Sequence, residues 1–247
     1  MRREAQGLRR YVHIGTGNYN AETARFYTDL GLMSADPDLG SDLHDFFNEL
    51  TGLEHPPQKR FRRLLVAPNS LVQDIERMIE REIDHAKAGR PARIQAKLNG
   101  LADRKVVEAL YRASRAAVEV DLVVRSTCTL RPTVAGLSER IRVRSILGRF
   151  LEHSRIYYFE NGGQNEYYIG SADWWARNLR KRVEVVTPID DPAARNVLRT
   201  IMETQLEDPR AWVLRPDGVF ERLDEDGPGS QERFLAAATG PRVPRSA

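Results

Sequence analysis

The sequence predicts an α/β fold, a mixed sheet flanked by helices, with a shorter run of strands in front of it. Three observations carry this. Between Leu64 and Arg125, apolar runs of strand length alternate with stretches of helical periodicity. From Leu151 to Gly170, two aromatic-rich stretches flank Asn161-Gly162-Gly163-Gln164, the pattern of a hairpin. Tyr11–Asn18 repeats the chemistry of Tyr168–Asp173, each a strand running into Gly, a small hydroxyl residue, any residue, then Asn or Asp.

The bulk properties narrow the function. A chain of 247 residues makes one large or two small domains, and 41% hydrophobic residues suffice for a core. No apolar run approaches a membrane span. The N-terminus, Met-Arg-Arg-Glu-Ala-Gln-Gly, is charged and lacks the apolar stretch of a secretory signal. One cysteine, Cys128, excludes an internal disulfide and a multi-cysteine metal site, so a reducing cytoplasm is expected. A net charge of +3 is too small to argue for specific nucleic-acid binding but suits local basic pockets for a polyanion.

Taken in order, the first ten residues hold four arginines and no periodicity. Val12–Gly15 reads as a strand. Residues 21–30 alternate and fit strand or helix equally, so Tyr27 is either a packed aromatic or a platform for a base. Leu39–Leu53 reads as a helix with Ser41 or Asp42 at its N-cap and Leu43, Phe46, Phe47 and Leu50 inward. Leu53–Leu64 is a domain boundary, and its cluster Lys59, Arg60, Arg62 and Arg63 is either solvated or a phosphate wall. The strand Leu64–Pro68, helix Leu71–Lys87, strand Arg93–Asn99, helix Arg104–Ala117 and strand Val118–Arg125 follow, implying a largely parallel sheet. Ligands sit at the C-terminal ends of such strands, which places Arg125 for contact. Cys128 in the same loop reads as a packed residue. Next come the short strand Val143–Leu147, the hairpin, the basic group Arg177, Arg180, Lys181 and Arg182, the strand Val183–Pro188 and a helix over residues 191–206. After Asp208 periodicity fades, so residues 208–247 are expected to form a disordered tail.

The chemistry concentrates between His153 and Asn178. His153 and Arg155 share one face of an extended segment. A histidine suits nucleophilic or acid/base work, and an arginine holds phosphate oxygens with a bidentate fork. Ser171 and Asp173 lie in the glycine loop that follows, with Arg177 beyond it and Asn18 as the counterpart of Asp173 in the first loop. The bland alternative is a hairpin whose histidine caps a strand and whose aromatics are core. His153-x-Arg155 followed by Gly170-Ser171-x-Asp173 resembles the phospholipase D superfamily signature, His-x-Lys and Gly-Ser-x-Asn, with Arg for Lys and Asp for Asn.

A closer resemblance is carried by Tyr11–Asn20, Thr23–Asp29, Gln95–Asn99, Val124–Cys128, Leu151–Arg155, Phe159–Gly163 and Ser171–Trp174. Together these stretches are similar to bacterial polyphosphate kinase. The resemblance implies a phospholipase-D-like α/β domain over residues 64–207, preceded at 1–53 by a truncated half of a second such domain. It implies reversible transfer of the terminal phosphate of ATP to inorganic polyphosphate through a phosphohistidine, with Mg²⁺. Tyr27, Arg125 and His153 match the ATP contacts, and His153 would act as general acid/base or phosphate contact. The phosphorylated histidine of the family lies in a His-Ala-Lys strand that this chain lacks, as are the Mg²⁺-associated residues, so no metal ligands are expected here. His13 matches a different histidine. The other reading is a nucleotide- or polyphosphate-binding module that is catalytically incomplete. A phosphodiesterase ranks last, because that chemistry needs two His-x-Lys motifs. A cytoplasmic protein is implied, with peripheral membrane attachment and homo-oligomerisation left open.

Overall fold

The computed structural model describes residues 1–5, 7–52, 61–224 and 226–239. Lys59, Arg60 and most of the expected domain boundary lie outside them. The first fifty residues are built from short pieces. Strands β1 (Arg2–Glu4) and β2 (Gly7–Arg9) pair antiparallel, as do β3 (Val12–Gly15) and β5 (Gly31–Ser34). Between the latter, a 3-10 turn over Thr23–Arg25 leads into β4 (Tyr27–Thr28), so residues 21–30 divide between the two conformations.

Helix α1 spans Pro37–Leu50 and starts earlier than the periodicity suggested. Its cap is Asp36, which accepts from the Leu39 N–H, with Pro37 in the first turn. Asp42 is instead buried and accepts the backbone N–H groups of Arg62, Arg63 and Leu64. Leu39 and Phe46 pack with Ile14, Leu64 and Val66, whereas Phe47 and Leu50 are exposed.

The main body contains β6 (Leu65–Ala67), α2 (Leu71–Lys87), β7 (Arg93–Leu98), α3 (Arg104–Arg115), β8 (Glu119–Val124) and β9 (Ile141–Ser145). Then come β10 (Leu151–Glu152), β11 (Arg155–Phe159), β12 (Glu166–Gly170), α4 (Ala176–Arg180), β13 (Glu184–Ile189) and α5 (Pro192–Leu206). The chain continues through β14 (Trp212–Leu214), β15 (Phe220–Arg222) and α6 (Ser230–Thr239). Among the described residues, nine strands form one sheet in the order β15-β14-β9-β8-β7-β11-β12-β13-β6. Only β7–β8 and β8–β9 are parallel pairs, so the sheet is mixed rather than largely parallel. Strand β6 does not neighbour β7, because the aromatic hairpin and β13 insert between them.

Alternation along β11 shows both faces covered. Tyr157 and Phe159 join α2 and α3 in one core, and Ile156 and Tyr158 join Leu198 and Met202 of α5 in another. The hairpin turns through a 3-10 segment in which Asn161, Gly162 and Gly163 all have positive φ, 49°, 63° and 97°. That conformation explains an Asn-Gly-Gly run.

The expected disordered tail is corrected for the described residues beyond 207. Strand β14 pairs with β9, Leu214 is buried in the main core, and α6 docks by its first turn. The segment lacks long periodicity because its strands are three residues each, too short to register as a pattern. Residues 240–247 are outside the description.

Candidate functional site

The antiparallel entry of β11 beside β7 and β12 brings several strand ends to one edge. Ile156 opposes Lys97, and Arg155 opposes Gly170. The loops after β7, β8 and β12 and the residues before β11 therefore meet, as the rule for strand C-termini predicts. Strand β10 adds a further piece by pairing in parallel with β4, Leu151 against Tyr27 and Glu152 against Thr28.

This pairing sets which side chains face the site. Tyr27, Asp29 and His153 point one way, and Thr28 and Glu152 the other. The rings of Tyr27 and His153 lie 4.6 Å apart at 43°. His153 Nδ1 stands 2.9 Å from Asp29 Oδ1. An ionised carboxylate only accepts, so Nδ1 carries the hydrogen and Nε2 keeps a lone pair, facing Arg155 Nη1 at 3.2 Å. Thr16 donates to the same Asp29 oxygen at 2.7 Å, and a Cβ at Gly17 would overlap that carboxylate. Burial pushes the Asp29 carboxyl upward, but hydrogen bonds from His153 and Thr16 and the charge of Arg155 outweigh it and hold the group below its ordinary value.

Arg155 joins the two glycine loops. Its side chain is 9% exposed and donates to Asp173 Oδ2 at 3.0 Å and to the Thr16 carbonyl at 2.9 Å. Asp173 also accepts the N–H groups of Asn99 and Gly100, at 2.6 and 3.3 Å. Asn99 in turn donates to the His153 carbonyl at 3.0 Å and accepts from Arg125 Nε at 2.7 Å. Arg125 is thus tied to His153 through one carboxamide, and its terminal nitrogens have no partner among the described residues.

Other sequence candidates lie apart from this cluster. The Ser171 hydroxyl donates to Glu184, which Asn178 and Arg182 also engage. Gly170 is required by the close approach of β13, where a Cβ would strike the Val185 carbonyl, rather than by a bound group. Asn18 is exposed and offers its carbonyl to Asn20. Arg177 is exposed on α4. Burial pushes the Cys128 thiol up to about 11, as suits a packed residue. Among the described residues no three His, Cys, Asp or Glu side chains gather as a metal site.

Asp29, Thr16 and Asn99 were not singled out as site residues from the sequence. Asp29 shares the alternation of Tyr27, which is the one signal that could have found it. Beneath the site lies a second missed group. Buried Glu152 accepts from Lys97 Nζ at 3.1 Å, Thr28 Oγ1 at 3.0 Å, Gln205 Nε2 at 2.7 Å and Gln231 Nε2 at 2.7 Å. Burial raises the Glu152 carboxyl, but the Lys97 charge and these donors outweigh it, leaving it below its ordinary value. Burial likewise drives the Lys97 ammonium below the usual lysine range, partly offset by Glu152.

Comparison with known proteins places this arrangement. The family profile for polyphosphate kinase C-terminal domain 2 matches residues 64–233, and that for C-terminal domain 1 matches residues 1–56. Polyphosphate kinase of Thermosynechococcus vestitus is 55% identical over 234 residues, covering 94% of this chain and 32% of the relative. The Pseudomonas aeruginosa enzyme of the same name is 50% identical over 228 residues, covering 92% of this chain and 33% of the relative. The chain thus spans about a third of the length of the curated relatives it matches. The crystal structure of polyphosphate kinase from Porphyromonas gingivalis superposes with a TM-score of 0.86 at 40% identity, covering 93% of this chain and 36% of that one. With a profile matched over most of its length and the same fold in a solved relative, the chain belongs to the polyphosphate kinase family.

Proposed function

We propose that this chain forms the nucleotide end of a site that moves the terminal phosphoryl group of ATP to inorganic polyphosphate, reversibly. The observation that carries this is the convergence on His153 of an aromatic ring, a carboxylate that fixes its tautomer and Arg155, with Arg125 held nearby on Asn99, its terminal nitrogens without a partner among the described residues. Tyr27 contacts the nucleotide. Arg125 holds phosphate charge. His153 acts through Nε2, accepting or donating a proton or contacting phosphate, while Asp29 holds Nδ1–H. Arg155 is committed to Asp173 and Thr16, and so shapes the two loops more than it grips substrate. In this reading the P–O bond to ADP breaks as a P–N bond forms on a histidine of the His-Ala-Lys type, separate from His153 and His13. That P–N bond then breaks as the polyphosphate end gains a P–O bond. Magnesium, which no cluster of His, Cys, Asp or Glu among the described residues would hold, would supply positive charge to the nucleotide phosphates.

Calorimetric titration of the purified chain with ADP and with polyphosphate tests this. Binding by the wild type, weakened by Arg125→Ala and Tyr27→Ala, is the expected result. A folded wild type that binds neither ligand overturns it. Acid-labile labelling of this chain alone from ATP tests the separate phosphohistidine: no label is expected, and label that is lost in His153→Ala would move the phosphoryl acceptor onto His153 and overturn that part of the reading.

A further inference from the structure

We infer that Gln231, on the C-terminal helix α6, is a positioning residue for Tyr27 and His153, acting through Glu152 and β10; its effect on nucleotide rests on the function proposed above. Strand β10 is only two residues long and has one strand partner, β4. On its other side the Gln231 carboxamide takes the place of a strand. Gln231 Nε2 donates to the Phe150 carbonyl at 2.8 Å, and the Phe150 N–H donates to Gln231 Oε1 at 2.9 Å. The same Nε2 donates to Glu152 Oε1 at 2.7 Å. Gly148 leaves room for this, since a Cβ there would strike the carboxamide.

Glu152 passes the restraint on. Its other oxygen receives Thr28, whose neighbours in sequence are Tyr27 and Asp29. Backbone hydrogen bonds from Leu151 N–H to the Phe26 carbonyl and from Ser154 N–H to the Thr28 carbonyl, 2.7 and 2.8 Å, complete the clasp. The hydrogen bonds of Gln231 thus lead, through Glu152 and β10, to the two segments that carry Tyr27, Asp29 and His153. Helix α6 is itself fixed to the end of α5, with the Ser230 N–H on Asp208 Oδ2 at 2.6 Å and Arg210 on Glu232 at 2.9 Å. The groups facing His153 are Asp29, Tyr27 and Arg155, while Lys97, Gln205 and Gln231 meet Glu152 on the opposite side.

The test follows the imidazole nitrogens of His153 by NMR through a pH titration of the 247-residue chain, with His153→Gln to assign them and calorimetry with ADP alongside. Gln231→Glu keeps size but removes both donations and sets a carboxylate against Glu152. Gln231→Met removes them without charge, and decides the matter if Gln231→Glu does not fold. Both are expected to displace the His153 imidazole nitrogen signals from those of the wild type and to weaken ADP about tenfold. Arg233→Ala, exposed on the same helix, should change neither. His153 signals identical to wild type in folded Gln231 variants overturn the inference. A wild type that binds no ADP, with His153 still displaced in the variants, sinks the nucleotide reading and keeps the positioning role.

Discussion

At the residue scale, the paired charges decide how the site responds to pH and substitution. Asp29 and Glu152 titrate below their ordinary values in the folded chain. Each therefore contributes stability that is present above the ordinary carboxylate pKa and is lost as pH falls through the lowered one. Lys97 runs oppositely, because its depressed value means the ammonium is disfavoured on folding, and stability is recovered as pH rises through it. Acid melts should thus show a stability loss at and below about pH 4 that Glu152→Gln makes shallower. Removing one partner of a buried pair leaves the other uncompensated. Lys97→Met should cost about 3–5 kcal/mol in denaturant unfolding, and the double variant with Glu152→Gln should recover part of it. Arg155→Ala should cost a similar amount, since Asp173 is left with only backbone donors. The sequence displayed His153 and Arg155 by their spacing and type and Arg125 by its place at the end of a strand, whereas Tyr27 stood out only through the family resemblance. It concealed the pairing of Glu152 with Lys97, which meet only once the segment entering β11 lies beside the end of β7.

At the element scale, caps and short strands separated what was legible from what was not. Helix α2 was read to its observed limits, Leu71–Lys87, because seventeen residues of strong periodicity leave little freedom. Helix α1 was misplaced because Asp42 imitates a cap in sequence. Its carboxylate instead receives three backbone N–H groups from the segment leading into β6. Asp42→Ala should destabilise the chain by about 2–4 kcal/mol, with the Leu64 segment losing hydrogen-exchange protection first. Asp36→Ala, which removes only a helix cap, should cost about 1 kcal/mol. Arg155 is the physical link between the two glycine loops. Their hydroxyls diverge: Thr16 serves Asp29, whereas Ser171 is drawn to Glu184.

At the scale of the whole molecule, the last described residues are part of the sheet and of the support beneath the site. A chain ending after Leu206 would bare the β9 edge that β14 covers and would lose Leu214 from the core. Such a chain should self-associate more strongly than the full one in sedimentation velocity, as open edges do. A sheet flanked by helices was foreseeable from local patterns, whereas its strand order and its mostly antiparallel pairing were not, because both are settled by contacts between distant segments. That distance has a consequence in time. Asp29 and His153 are 124 residues apart, and Glu152 and Gln231 a further 79. During synthesis Tyr27 and Asp29 leave the ribosome long before His153, and His153 long before Gln231. Closing such long loops is slow compared with forming α2 or α3. Nucleotide affinity should therefore appear as one of the last events of folding, and a partly made chain would hold ordered helices while having no grip on its ligand.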